Sequence, residues 1–244
     1  MSQREGQRND TEAWENFWQG VLSDPTAPVV WGKSNFDSLE SMAPYLGELV
    51  DTFSRDLPLV DVGCGDGAFT ENFVDYFDVV VGTDISEAAI VKARQDNQGS
   101  KVSYQQLNGT DTVGAEHLHA RLGDANVHLR GVLQGMMPPD WPDALRSLEI
   151  LTGQKGIVFD LELSTNYSQL VEKMKGLDEQ QASRLRGPGD GLVPNDFTTA
   201  GLVDLYQSHG WSIQSVGEVD LQTQIPLPDG SLLALPTIYV IATK

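Results

Sequence analysis

The stretch LPLVDVGCGDGAFTENFVDYFDVVVGTDIS, from Leu57 to Ser86, constrains the fold more than any other part of the chain. Leu57, Leu59, Val60 and Val62, interrupted by Asp61, form a short apolar run that suits a strand covered on both faces. Gly63, Gly65 and Gly67 follow, alternating with Cys64 and Asp66. Glycine belongs where a backbone must turn sharply and let a ligand come close. The spacing of Phe69, Phe73, Val74 and Phe77 predicts a helix from Ala68 to Phe77, whose first N–H groups would point into the turn. Val79 to Ile85 reads as a second strand. Asp84, 17 residues beyond Gly67, stands where a carboxylate accepts hydrogen bonds from the two hydroxyls of a ribose. A strand, turn, helix and strand in this order imply an adenosine-containing cofactor.

The glycines alone leave two cofactor classes open, because Gly63, Gly65 and Ala68 also satisfy the loose fingerprint of dinucleotide enzymes. The run V-D-V-G-C-G-D-G, however, resembles motif I of class I S-adenosylmethionine-dependent methyltransferases. That resemblance implies that Asp61 helps hold the methionine ammonium and that Gly63, Cys64 and Gly65 pass the methionine moiety. It implies further that Asp84 binds the ribose and Ile85 lies against the adenine. The turn after the third strand, with Asn108, Gly109 and Thr110, would reach the adenine edge; Asn108 and Asp111 both qualify for that contact. S-adenosyl-L-methionine is then the cofactor. The implied fold is a doubly wound, mostly parallel α/β sheet of seven strands with a C-terminal antiparallel hairpin, the Rossmann-like methyltransferase fold. The segment VHLRGVLQ has the texture of bacterial small-molecule methyltransferases.

At 244 residues the chain holds one α/β domain with a large core and is short for two. A net charge of −19, from 35 acids against 16 bases, argues against nucleic acid as substrate, because gripping phosphates rests on lysine and arginine. One cysteine allows no internal disulfide. No apolar stretch is long enough to span a bilayer and no signal-peptide core follows Met1, so the expectation is a cytoplasmic protein without a membrane partner. No cluster has metal-ligand spacing.

Residues 1–56 read as a helical extension. Thr11 to Gly20 would be capped by Thr11, with Trp14, Phe17, Trp18 and Val21 on one face, and a second helix would run from Asp37 to Phe53. Trp31 and Lys33, on the loop between, are candidates to close the methionine end of the site. Residues 57–244 form the cofactor domain. After Asp84 the pattern predicts a helix from Ser86 to Asn97, a strand from Val102 to Leu107, a short helix from His117 to Gly123, and a fourth strand from Asn126 to Gln134. A helix then follows Pro138 and Pro139, and Gly156 to Leu163 is the fifth strand. Residues 164–195 are a candidate cap over the substrate, with Tyr167 and Met174 on a helical stripe. Asp196 opens a helix from Phe197 to His209, and Trp211 to Leu221 and Leu232 to Ala242 close the sheet.

Ligands of doubly wound sheets bind beyond the carboxyl ends of the strands, which places Gln134 where methyl donor and acceptor meet. Base and glutamine N-methyltransferases of the superfamily often carry an Asn/Asp-Pro-Pro-aromatic tetrad there. Met137-Pro-Pro-Asp140 keeps the prolines but lacks the amide or acid and the aromatic, which weighs against those substrates. Methyl transfer needs alignment more than side-chain chemistry. Should a hydroxyl be the acceptor, Glu162 is the best placed base among Asp160, Glu162, His117, His119, His128 and His209. Cys64, between motif glycines, has a structural role. The sequence therefore points to methyl transfer onto a small organic acceptor, such as a secondary metabolite. A cofactor-binding regulatory module without turnover is the alternative. A nicotinamide-dependent oxidoreductase ranks last, having no need of Asp61, Gly67 or the C-terminal hairpin.

Overall fold

The computed structural model describes residues 10–24, 38–164, 195 and 197–244. Trp31, Lys33, Asp196 and all of the candidate cap except Ser164 and Asn195 lie outside them. The chain begins with α1 (Asp10–Ser23) and α2 (Ser38–Thr52) and enters the sheet at β1 (Leu59–Val62). The sheet continues through β2 (Val80–Asp84), β3 (Ser103–Gln106), β4 (Asn126–Arg130), β5 (Val158–Leu163), β6 (Ser212–Pro226) and β7 (Leu232–Thr243). Between strands stand α3 (Glu87–Asp96), α4 (Thr112–Leu122), α5 (Trp141–Thr152) and α6 (Thr199–Ser208).

The seven strands lie in the order β3-β2-β1-β4-β5-β7-β6. β1 pairs in parallel with β2 and β4, and only β7 runs antiparallel to its neighbours. The strand order reverses between β1 and β4, so the crevice for a ligand opens at their carboxyl ends. β1, β2, β4 and β5 are buried throughout, as expected of strands covered on both faces. One core joins α2, α3 and the hairpin through Met42, Tyr45, Leu49, Phe73, Ile90, Phe159 and Ile241. The other packs α4, α5 and α6 through Leu118, Leu145, Leu148, Leu202 and Tyr206. Glu48 of α2 also accepts hydrogen bonds from Ser215 and Tyr239 of the hairpin, which ties the N-terminal segment into the same core.

Several boundaries differ from the sequence expectation. The helix after the glycine turn is a short 3-10 helix, Thr70–Asp75, rather than one spanning Ala68 to Phe77. Its tighter winding puts Phe73 at zero exposure and brings the Thr70 hydroxyl onto Asp61 at 2.5 Å. The fourth strand stops at Arg130 because Gly131 takes a φ of 69°, and Gln134 falls in a 3-10 turn, Leu133–Gly135. The helix expected at His117–Gly123 begins at Thr112, where Asp111 caps it by accepting from Gly114 N at 3.0 Å. The sixth strand runs on to Pro226, through residues expected in the connecting loop. α1 already includes Asp10, one residue before its expected cap, and α6 starts at Thr199 under the cap of Thr198. No described helix is long and apolar enough to cross a membrane.

Phe159 is central to the packing: fully buried, it stacks on Tyr45 at 5.3 Å and on Tyr239 at 5.2 Å between ring centroids. Phe159→Ala should lower the unfolding free energy by about 3–5 kcal/mol. Urea denaturation followed by tryptophan fluorescence measures this, and a loss under about 1 kcal/mol would show that α2 and the hairpin repack without it.

Candidate functional site

The crevice is framed by two turns, one after β1 and one after β4. In the first, Gly63 and Gly65 take φ values of 74° and 56°, in the left-handed region where glycine is unstrained. A Cβ on Gly63 would lie 2.5 Å from the Val132 side chain of the second turn, so the two turns touch. The first turn is anchored by backbone bonds from Gly63 and Cys64 N–H to Thr83 O, at 2.7 and 2.9 Å. Asp84, at the tip of β2, accepts from Gly65 N at 3.0 Å on Oδ2 and from Ser86 N at 2.9 Å on Oδ1.

Burial pushes the Asp84 carboxyl up to about 6, against the pull of those two bonds, with Asp61 and Glu15 adding repulsion. The Cys64 thiol is pushed well up by burial and by the carboxylates of Asp84, Asp61 and Asp66. It stays protonated, which suits its packing role and not that of a nucleophile.

Asp61 occupies a different environment from the one its motif position suggests. It is 4% exposed, and both oxygens are engaged: Thr70 Oγ1 donates to Oδ2 and His128 Nδ1 lies 2.7 Å from Oδ1. A carboxylate only accepts, so His128 carries its proton on Nδ1. The pair links β1 to β4 beneath the crevice. Arg130, at the tip of β4, is a buried charge beneath the crevice that sequence reasoning missed. It is buried with its guanidinium 3.7 Å over the Phe69 ring. An arginine closing the otherwise buried run N-V-H-L-R was the available signal.

A cavity of about 420 Å³ opens beyond β2 and β3, lined by Ile85, Leu107, Asn108, Asp111, His117 and Arg121 among others. Ile85 and Asn108 thus meet at one end of the crevice, where the resemblance puts adenine. Asn108 Oδ1 accepts from Thr110 N and Thr110 Oγ1 at 3.0 and 2.9 Å, which shapes the turn. Asp111 is committed to capping α4. Gly109 faces the Met136 side chain, 3.0 Å from where its Cβ would stand.

The second turn corrects the roles given to Gln134 and Glu162. Gln134 is 2% exposed, its Oε1 accepting from Leu163 N at 2.7 Å and its carbonyl accepting from Asn195 N and Nδ2. Glu162 is fully buried and accepts from Val132, Leu133 and Gln134 N at 3.0, 2.8 and 3.0 Å. Glu162 and the Oε1 of Gln134 hold the turn's backbone to β5, because a carboxylate or amide oxygen buried this deeply must be hydrogen-bonded. The group that turns toward the crevice from here is Gly135, with Trp14 of α1 3.6 Å from its Cβ position. On the near side Trp18 of α1, 4% exposed, lies 3.0 Å from the Cβ position of Gly65. Trp14 and Trp18 therefore pack as expected, but against the two crevice turns. Among the described residues no group of His, Cys, Asp and Glu stands where it could hold a metal ion.

The residues fit S-adenosylmethionine. The positive-φ glycines form a tight turn under Trp18 and Val132, Asp84 stands at the tip of β2 beside it, and Ile85 and Leu107 line a cavity of mixed polar and apolar character where the resemblance puts the adenine.

Known proteins give the same picture. Residues 59–156 match the family of methyltransferase domains. An S-adenosylmethionine-dependent methyltransferase from Anabaena variabilis is similar over 97% of this chain and 96% of its own, at 28% identity and a TM-score of 0.83. Magnesium protoporphyrin IX methyltransferase from Synechocystis, with S-adenosylhomocysteine bound, shares the fold at 15% identity, 96% and 99% coverage and a TM-score of 0.62. So does a structure concerned with conversion of a disulfide bond into a thioacetal group during echinomycin biosynthesis, at 18% identity, 95% and 91% coverage and a TM-score of 0.66. No curated protein matches the chain.

Two pH effects follow. Cofactor affinity should weaken as pH falls through about 6, by up to tenfold per unit, because protonated Asp84 loses acceptor capacity. Asp84→Asn should bind weakly with a flat profile; a flat profile in the wild type would remove Asp84 from the ribose site. Asp160, hydrogen-bonded to Tyr206 at 3.0 Å, is raised to about 7 by burial beside Glu162, itself pushed well up by burial and by Asp160. The folded state keeps a proton that the unfolded chain releases above the ordinary carboxylate range, so stability should fall as pH rises from about 5 to 8. The fall should shrink in Asp160→Asn; an identical slope in both proteins, measured by thermal unfolding, would rule out this pair as its source.

Proposed function

Since the chain is an S-adenosylmethionine-dependent methyltransferase with the class I fold, we propose that it methylates a small organic acceptor with an apolar body, such as a secondary metabolite, in the cytoplasm. The observation that carries this reading is the composition of the acceptor end. The described side chains that meet the glycines of the crevice are apolar or aromatic: Val132 at Gly63, Trp18 at Gly65, Met136 at Gly109 and Trp14 at Gly135. Among the described residues the acid and amide expected there are engaged elsewhere, Glu162 by the backbone of the second turn and Gln134 Oε1 by Leu163 N. The charge of −19 speaks against a nucleic-acid substrate. The fold relatives add that scaffolds of this kind serve a porphyrin and a disulfide of echinomycin biosynthesis.

When bound, S-adenosylmethionine supplies the transferable methyl on a sulfonium. The chain's own work is placement. Asp84, Gly63 and Gly65 hold the adenosine and methionine ends, with Ile85, Asn108, Gly109 and Thr110 at the base. The turn at Gly135 and the α1 indoles exclude water and align the acceptor. Alignment of this kind is worth up to about 7–11 kcal/mol of the barrier. With Glu162 spent on three backbone N–H groups, no described residue is needed as a general base.

Gly135→Phe tests the placement. Its Cβ would meet only Trp14, at 3.6 Å, so the fold should persist, and cofactor affinity measured alongside separates a blocked acceptor from a displaced α1. Methyl transfer to any acceptor the wild type accepts, scored as S-adenosylhomocysteine release, should drop at least tenfold through kcat/KM. Full turnover in this variant would move the acceptor pocket elsewhere. Cofactor binding without product for every apolar acceptor tried would favour the regulatory reading.

A further inference from the structure

Glu15 belongs to no motif and sits on α1, outside the sheet, yet its carboxylate reaches the cofactor crevice. Oε2 accepts from Ser86 Oγ at 2.7 Å and from Ala88 N at 3.3 Å, while Gln19 Nε2 donates to Oε1 at 3.1 Å. Ser86 is the N-cap of α3. Its hydroxyl accepts from Ala89 N at 3.1 Å and its N–H donates to Asp84 Oδ1 at 2.9 Å. Asp84 Oδ2 in turn accepts from Gly65 N at 3.0 Å. One unbroken chain of hydrogen bonds therefore runs from Glu15 through Ser86 and Asp84 to the glycine turn. The same helix meets that turn a second time, through Trp18 on Gly65, and rests on α3 through Ala88 and Ala89.

A helix cap alone does not require this arrangement. Ser86 already caps α3 from within the chain, as Ala89 N shows, and Glu15 adds a second acceptor from a helix 71 residues away. Its effect is to fix the Ser86 hydroxyl and, with it, the backbone that bonds Asp84.

We propose that Glu15 is a positioning residue for the cofactor: by holding Ser86 it sets the orientation of Asp84, so that docking of α1 and binding of S-adenosylmethionine strengthen each other. The proposal rests on Asp84 being the ribose acid. Linkage makes the effect reciprocal, so α1 should be held more tightly when the cofactor is bound.

The ionisable groups facing Asp84 are few. β1 and its turn contribute Asp61 and Cys64, and α1 contributes Glu15. β3 offers the neutral Gln106 as register partner, and Glu87 of α3 is 53% exposed beside Arg94. Burial pushes Glu15 up, but the bonds from Ser86, Ala88 and Gln19 outweigh it and hold the carboxyl below its ordinary range. Glu15 is therefore charged throughout the range in which Asp84 titrates.

The test is calorimetric titration of the full chain with S-adenosylhomocysteine at several pH values from 5 to 8, for the wild type, Glu15→Ala, Glu15→Gln and Asp84→Asn. Glu15→Ala should weaken binding about tenfold at pH 8, the scale of one charge-assisted hydrogen bond. Glu15→Gln keeps an acceptor oxygen for Ser86 and should recover most of the affinity. Its acid limb should begin at lower pH, because one negative charge facing Asp84 is gone. Chymotrypsin cleavage within α1, at Trp14, Phe17 or Trp18, should slow when S-adenosylhomocysteine is added to the wild type and not to Glu15→Ala. Wild-type affinity in Glu15→Ala beside a weakened Asp84→Asn overturns the proposal alone. An unmoved acid limb in Glu15→Gln does the same. Wild-type affinity in Asp84→Asn overturns the ribose reading, and this proposal with it.

Discussion

Both turns that frame the crevice are held by a buried carboxylate accepting backbone N–H groups. Asp84 binds the turn after β1 through Gly65 and the start of α3 through Ser86, and Glu162 binds the turn after β4 through three consecutive N–H groups. A bare carboxylate could not remain at such depth, and loose backbone N–H groups there would cost about 1–3 kcal/mol each. Each therefore satisfies the other. The consequence is a pair of turns whose shape is set by the ends of β2 and β5 rather than by local sequence preference. Their mutual contact, Val132 against Gly63, then fixes the width of the crevice.

Beneath the turns the polar groups continue inward. Thr70, Asp61 and His128 join the 3-10 helix, β1 and β4 in one set of hydrogen bonds. His128 packs beside the stacked pair of Tyr45, at 6.4 Å, and Phe159, at 6.1 Å, so a displacement of the core would be felt at Asp61. Motif position alone assigns Asp61 to a ligand ammonium. In this chain its two oxygens bond Thr70 and His128, and its carboxylate adds to the burial that pushes Asp84 and Cys64 up.

The cofactor half of the molecule was legible in the sequence because it depends on backbone geometry. Positive-φ glycines, a strand-tip acid and apolar runs leave marks that survive in a single sequence, and Gly63, Gly65, Asp84 and Ile85 stand where those marks put them. What misled was position along a strand. Gln134 and Glu162 were placed by counting to a strand tip, but Gly131 ends β4 four residues early, which leaves Gln134 in a turn, while Glu162, on a β5 that ends where expected, meets the backbone donors of that turn. Hydrogen-bond demand in three dimensions leaves no period in a sequence. The Glu15 contact is invisible for the same reason, since Glu15 and Ser86 are brought together only by the packing of α1 on α3.

The acceptor half resists reading for a chemical reason. A reaction that proceeds by in-line displacement asks its enzyme for alignment and dryness, and both can be supplied by many combinations of apolar side chains. In the proposed reading Trp14 and Trp18, with Val132 and Met136 packed on the neighbouring glycines, answer that demand without any one of them being dictated by the reaction. The cofactor, by contrast, presents the same hydroxyls and the same charged chain to every enzyme that binds it, so the groups that meet it are held to a fixed pattern. The two halves of the crevice thus differ in how much sequence freedom their chemistry allows, and α1, which touches Gly65 on one side and Gly135 on the other, is the element on which the constrained half and the free half meet.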